Sequence, residues 1–249
     1  MRILIYSDIH ANLPALEAMA AATAGGYDVS VCLGDVVGYG AQPNQTSAWV
    51  RAATPTVIRG NHDRACAALH GLQWFNPTAA AAARWTHHVL EEPARQWLDE
   101  LPAGPLPWEG MSLVHGSPLD EDEYLVEPAQ AAGAFAATEI RLQWFGHTHI
   151  QGGFEYSEEE VSEFRHGEPG VRQSGSFTLR LQAGARYLLN PGSVGQPRDG
   201  DWRAAYAILH QEDDAVTFHR VPYDLAAAQA SILQAGLPAA LAQRLAKGQ

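Results

Sequence analysis

Hydrophobic residues open the chain as an almost continuous block, Arg2–Tyr6 (RILIY), followed at once by the polar pair Ser7-Asp8. A short apolar run with polar bounds predicts a strand buried on both faces. Asn12 and Pro14 then mark a helix start, as N-cap and first-turn proline, and Gly25-Gly26 stop it. The unit recurs: a buried strand Val29–Leu33 ends in Gly34-Asp35, a helix runs from about Pro43 to Ala53, and a strand covers Thr56–Ile58. This βαβαβ order predicts a parallel sheet covered by helices.

The pattern then loosens. Thr78–Val89, dense in alanine, and Glu92–Leu101 predict two helices, separated at Pro93 and closed by Pro102. Pro105 and Pro107 mark a linker into a strand Ser112–His115, and another strand, Arg141–Phe145, ends in Gly146-His147. From Glu155 to Gly184 the composition turns rich in Glu, Ser and Gly, with the solvated run Glu158-Glu159-Glu160. That stretch predicts a surface insertion of β-hairpin type on a single domain spanning residues 1–249. Strands Arg186–Leu189, Ala204–Leu209 and Val216–Val221 follow, and an alanine-rich helical tail begins at Asp224. No internal repeat is present.

Composition narrows the class. Hydrophobic residues at 46% and charged residues at 18% of 249 exclude disorder and coiled coil. No apolar run approaches the roughly 18 residues of a membrane span, and the N-terminal run is too short for a signal peptide's core, so a cytoplasmic location is expected. Cys32 and Cys66 form neither a disulfide scaffold nor a C-x-x-C pair and are expected to be buried, inert thiols. Sixteen Lys+Arg against 28 Asp+Glu give −12, which argues against a grip on polymeric nucleic acid. Anionic substrates remain open wherever a bound cation inverts the local field.

Five segments place metal-ligand residues where a predicted strand ends: Asp8-Ile9-His10, Gly34-Asp35, Gly60-Asn61-His62-Asp63, His115-Gly116 and Gly146-His147-Thr148-His149. Ligands of open α/β sheets bind beyond the carboxyl ends of strands, and Asp-x-His and His-x-His put alternate side chains on one side of an extended segment. Mixed oxygen and imidazole donors suit divalent manganese, iron, zinc or nickel, with manganese favoured. The donors are too many for one tetrahedral zinc. Two metals sharing a carboxylate, about 3.5–4 Å apart, fit better and would clamp the attacking and leaving oxygens of a phosphoryl displacement.

This ordered set closely resembles the calcineurin-like metallophosphoesterase family, from Ile3 to about Tyr223 apart from Glu155–Gly184. Leu33–Gly40 (LGDVVGYG) and Asn190–Arg198 (NPGSVGQPR) resemble a bacterial and archaeal branch of small phosphodiesterases and phosphatases, some of which hydrolyse dinucleoside polyphosphates. The resemblance implies an α/β fold, a sandwich of two mixed β-sheets flanked by helices. It implies that Asp8, His10 and His149 hold one metal, that Asn61, His115 and His147 hold the other, and that Asp35 bridges both. It also implies that His62 faces substrate, stabilising the transition state or protonating the leaving oxygen, a role worth roughly 10²–10⁴-fold in rate. Asp63 is a candidate to orient that imidazole by accepting its other N–H. Many relatives carry an Asp-Arg pair where Gly38-Tyr39-Gly40 stands here, a departure that touches both the histidine's partner and a protein-phosphatase reading.

Asn61 and Arg198 are candidate substrate contacts, Arg198 as a bidentate phosphate clamp or as a solvated turn residue. Arg64 is a further candidate contact. Tyr39, Trp74 and Trp202 either stack a nucleobase or belong to the core. Asn190 and Ser193 either shape a turn with Pro191 and Gly192 or bind phosphate. His70, His87, His88, His166, His210 and His219 lack any metal-binding context and are expected at the surface or at packing interfaces. An insertion overhanging the site would let Arg172, Arg180 or Arg198 bind further phosphates.

The expected activity is hydrolysis of phosphodiesters or nucleotide-like polyphosphates by attack of a metal-bridging hydroxide. The alternatives are a dinucleoside polyphosphate hydrolase, a phosphomonoesterase, or a non-catalytic scaffold on the same fold. The expected partner is a small phosphorylated molecule, with no membrane and no nucleic-acid polymer.

Overall fold

A computed structural model describes residues 1–165 and 175–249; His166 and Arg172 lie outside the described residues. Its strands are β1 (Arg2–Tyr6), β2 (Val29–Cys32), β3 (Thr56–Val57), β4 (Leu106–Trp108), β5 (Met111–Leu113), β6 (Leu142–Trp144), β7 (Gly152–Ser157), β8 (Glu160–Arg165), β9 (Ser176–Arg180), β10 (Arg186–Asn190), β11 (Ala204–His210) and β12 (Ala215–Val221). The helices are α1 (Leu13–Thr23), α2 (Pro43–Ala53), α3 (Asn61–Ala68), α4 (Pro77–Val89), α5 (Glu92–Asp99), α6 (Pro128–Ala137), α7 (Leu225–Gln234) and α8 (Ala239–Leu245). Among the described residues, no helix is long and apolar enough to cross a membrane.

Two six-stranded sheets result, in the orders β3-β2-β1-β11-β12-β9 and β4-β5-β6-β10-β7-β8. Both are mixed. The first is parallel through β1, β2 and β3 and antiparallel beyond β1. The second is parallel through β5, β6 and β10, with antiparallel flanks. Alternate side chains of each central strand serve different layers. Ile3 and Ile5 of β1 enter the core between the sheets with Leu113, Trp144, Leu189 and Phe218, while Leu4 and Tyr6 pack with Leu16 and Met19 of α1. In β10, Leu189 faces the other sheet and Leu188 packs with Phe135 of α6. The molecule is a helix–sheet–sheet–helix sandwich, which is why its strands read as unbroken apolar runs.

Some elements differ from the pattern read along the chain. Pro107, expected in a linker, lies in β4, an edge strand where a missing N–H costs no ladder bond. Pro93 opens α5 from its first turn. The stretch around Glu155–Gly184 supplies the hairpin β7–β8 to the second sheet and the edge strand β9 to the first. Phe177 of β9 stacks on Phe218, ring centroids 4.6 Å apart, so the described part of this stretch contributes to the core between the sheets.

Candidate metal centre

The carboxyl ends of β1, β2, β3, β5 and β6 meet at one edge of the sandwich, where their loops are laced by main-chain hydrogen bonds. Asp8 N–H donates to Gly34 O, His10 N–H to Asp35 O and Gly146 N–H to His115 O, at 3.0, 3.0 and 2.8 Å. Asp8, His10, Asp35, His147 and His149 all hold left-handed backbone, with φ between 49° and 64°. Non-glycine residues there cost on the order of 1–3 kcal/mol each and cluster at functional sites. Glycine is required beside them by space. A Cβ on Gly60 would lie 2.0 Å from Asp35 Oδ1, and one on Gly146 would lie 2.2 Å from Ser7 Oγ.

The side chains converge in two groups, Asp8–His10–Asp35–His149 and Asp35–His115–His147, each with its donor atoms within 4.8 Å of one another and all buried. Asp35 belongs to both. Its Oδ1 accepts the His62 backbone N–H at 2.8 Å, and its Oδ2 lies 3.5 Å from His10 Nε2 and 3.4 Å from His115 Nε2. Asn61 Oδ1 stands 3.2 Å from His115 Nε2, which brings the seventh expected ligand to the second group.

Backbone carbonyls set the tautomers. Nδ1 of His10, His115 and His149 faces Val37 O, Leu33 O and Gln196 O at 3.1, 2.8 and 2.6 Å. A nitrogen facing a carbonyl must carry a proton, so in the neutral rings of His10 and His149 Nε2 points its lone pair inward. His147 is reversed: its Nε2 faces Asp122 O at 3.1 Å, leaving Nδ1 as the donor. Lone pairs therefore meet without a hydrogen between them. His10 Nε2 and His149 Nε2 are 3.0 Å apart. That donor set fits divalent cations and is ill-suited to close on itself.

Charge agrees with this. Burial pushes His10 well below the ordinary imidazole range and His147 down to about 3; His149 is also lowered, by burial and by the Arg198 charge. Burial acts on His115 in the same sense, but Asp35 overrides it and raises that ring to about 10. Against its own burial, Asp35 is held well below the carboxylate range by His115, His62 and His10.

His62 enters at the first turn of α3, 5% exposed, with its ring 4.3 Å from Tyr39, 4.6 Å from Phe75 and 4.9 Å from His10. Burial lowers it to about 4, so it is a neutral imidazole at pH 7. Asp63 does not orient it. The Asp63 carboxylate accepts Gly60 N–H at 3.0 Å and Val37 N–H at 3.2 Å, and His62 Nδ1 has no partner among the described residues. Side chains at i and i+1 of a helix do not face each other, and an N3 carboxylate is drawn to the free amides of the helix start. His62 Nδ1 instead abuts Gly38, whose added Cβ would lie 2.4 Å away.

The remaining candidates separate clearly. Arg198 donates to Gln196 Oε1 at 3.2 Å and to Tyr39 Oη at 3.4 Å, without a carboxylate partner among the described residues. Arg64 is bound to Glu121 and Asp122. Asn190 and Ser193 shape their loop, accepting from Gly192 N–H and Gln196 N–H. Trp202 packs on Tyr223, whereas Trp74 lines a cavity beside the cluster. No described residue of 155–184 lines that cavity. Its lining also includes Asp120, Asp122 and Tyr124, residues outside every motif and not singled out by the sequence reading.

Residues 1–214 match the model of the calcineurin-like phosphoesterase superfamily domain. A crystal structure of a metallophosphoesterase from Sphaerobacter thermophilus is 41% identical, covers 100% of this chain and 99% of its own, and superposes with a TM-score of 0.86. The uncharacterized protein MJ0912 of Methanocaldococcus jannaschii is 34% identical over 253 residues, covering 99% of this chain and 98% of its own. The hypothetical protein PH1004 of Pyrococcus horikoshii OT3, at 20% identity and TM-score 0.75 over 100% and 98% of the two chains, shares the fold.

Proposed function

The chain belongs to the calcineurin-like phosphoesterase superfamily, and from that premise we propose that it is a two-metal hydrolase of small phosphodiesters. One observation carries the two-metal reading: a single oxygen, Asp35 Oδ2, stands 3.5 and 3.4 Å from inward-facing nitrogens of the two donor groups. Asp8, His10 and His149 would hold one cation, Asn61, His115 and His147 the other, and Asp35 both. Such a pair supplies deprotonated water near neutral pH and neutralises charge developing on the phosphoryl oxygens.

The chain's own groups do the rest. His62, neutral before substrate arrives, offers a hydrogen bond from the cavity floor, and an anionic phosphoryl group beside it favours its protonation for transfer to the leaving oxygen. Arg198 brings a guanidinium that no carboxylate neutralises to the same side, suited to a non-bridging phosphate oxygen. The test is metal analysis coupled to hydrolysis of bis(4-nitrophenyl) phosphate and 4-nitrophenyl phosphate with Mn²⁺ supplied. Two bound equivalents and faster turnover of the diester are expected. A single equivalent, or turnover confined to the monoester, refutes the corresponding half of the proposal.

A further inference from the structure

Beside the donor cluster lies an open cavity of about 360 Å³ whose floor includes Asn61, His62 and His147. Aromatic rings line it as well. Phe75 lies 4.6 Å from the His62 ring, and Tyr124 lies 3.9 Å from the His147 ring on the facing loop. At the rim stands Trp74, on a 3₁₀ turn (Leu72–Trp74) anchored by the buried Leu72. Trp74 is 82% exposed. A large apolar ring held in water on an ordered turn loses free energy unless something covers it.

The charges along the wall say what would cover it. Arg64 is the one Arg or Lys among the lining residues, and it is bound to Glu121 and Asp122. Asp120 and Asp122 leave the same wall acidic. A second phosphate would meet carboxylates there, whereas an uncharged flat group would meet rings.

We propose that this cavity holds the neutral, planar organic group of the phosphoester, a nucleobase or an aryl ring, with Trp74 as its stacking and specificity-determining residue. This rests on the phosphoesterase reading above and narrows it: the occupant is an aromatic ester group, not a further phosphate of a polyphosphate.

Non-hydrolysable phosphonates test it by binding alone. Calorimetry on the metal-loaded protein compares phenylphosphonate, methylphosphonate and 3-phosphonopropionate, which present a ring, a methyl group and a second anion. Phenylphosphonate should bind about tenfold more tightly than methylphosphonate, the scale of one aromatic stack, and 3-phosphonopropionate no better than methylphosphonate. Trp74→Ala, a change at an exposed side chain, should erase the phenyl advantage while leaving methylphosphonate affinity unchanged, and Trp74→Phe should restore most of it. Phosphonate binding without a phenyl preference, a preference untouched by Trp74→Ala, or tighter binding of the second anion would each overturn the inference while leaving the phosphoesterase reading intact. Self-association of the chain that Trp74→Ala abolishes, with no change in phosphonate order, also overturns it, because the ring would then be covered by a second copy. No phosphonate binding together with no hydrolysis of any phosphoester under metal would remove the phosphoesterase reading and this inference with it.

Discussion

Replacing Asp35 by Asn changes one oxygen of the shared carboxylate into an amide nitrogen at almost constant volume. The retained oxygen can still accept the His62 backbone N–H now bound at 2.8 Å. The new nitrogen would stand where Oδ2 lies 3.5 Å from His10 Nε2 and 3.4 Å from His115 Nε2, facing the His10 lone pair to which it can donate. The metal-free fold should therefore survive, relieved of a buried carboxylate, while both cations lose their common anionic ligand. A cation supplied at about 100 times its Kd stabilises by roughly 2.7 kcal/mol per site, so two sites contribute about 5 kcal/mol. At about 2–4 °C per kcal/mol for a chain of this size, the wild type should melt about 10–20 °C higher when loaded. Differential scanning fluorimetry in EDTA and in Mn²⁺, with elemental analysis after desalting, reads both quantities. In EDTA the variant should melt close to wild type, and Mn²⁺ should move it little. Two undiminished equivalents in Asp35→Asn would refute the bridge; a variant unfolded in EDTA would refute the rescue of its neighbours by the amide.

His62→Asn should keep metal content near wild type while kcat falls by about 10²–10⁴ on esters with poor leaving groups; an equal loss on a nitrophenyl ester would leave electrostatic stabilisation as its only role. Arg198→Ala should raise KM for an anionic diester by roughly tenfold, one charge-assisted hydrogen bond, with metal content unchanged on elemental analysis. Asp63→Ala should cost about 1–2 kcal/mol in the metal-free protein, seen as a Tm lower by about 2–8 °C, because two backbone amides lose their acceptor; an unchanged Tm with a large loss of kcat would return Asp63 to an orienting role for His62.

The strand ends were legible because the first ligand of each motif follows an apolar run by one to three residues, and a strand buried on both faces cannot be mistaken for a surface segment. Helix α3 was not legible. Its first turn is the ligand motif itself, so the residues that would show a helical pattern are spent on the site, and its cap is the carboxylate of Asp63 inside the helix instead of a Ser, Thr or Asn before it. Helix α6, Pro128–Ala137, hides for another reason: with alanine at six of its ten positions it shows little apolar–polar contrast to give a period. The cavity wall was illegible in kind. Asp120, Asp122 and Tyr124 reach the site because the 117–124 turn folds on Ser117, whose Oγ accepts Leu119 and Asp120 N–H at 3.1 Å. Nothing in the spacing of those residues points to the metal ligands.

The Asp-x-His and His-x-His motifs do converge, but not by strand geometry. Two residues of extended chain advance about 6.6 Å. Left-handed backbone at Asp8, His10 and Ala11 folds that advance back on itself, and His10 Nε2 comes to 3.9 Å from Asp8 Oδ1. Left-handed backbone recurs at His147 and His149, and there His149 joins Asp8 and His10 while His147 joins Asp35 and His115. A motif of three residues thus feeds both donor groups. The backbone holds these turns through bonds between loops, such as His10 N–H to Asp35 O and Gly195 N–H to Asp8 O, both 3.0 Å, and through the Asp8 carboxylate, which accepts His147 N–H at 3.1 Å.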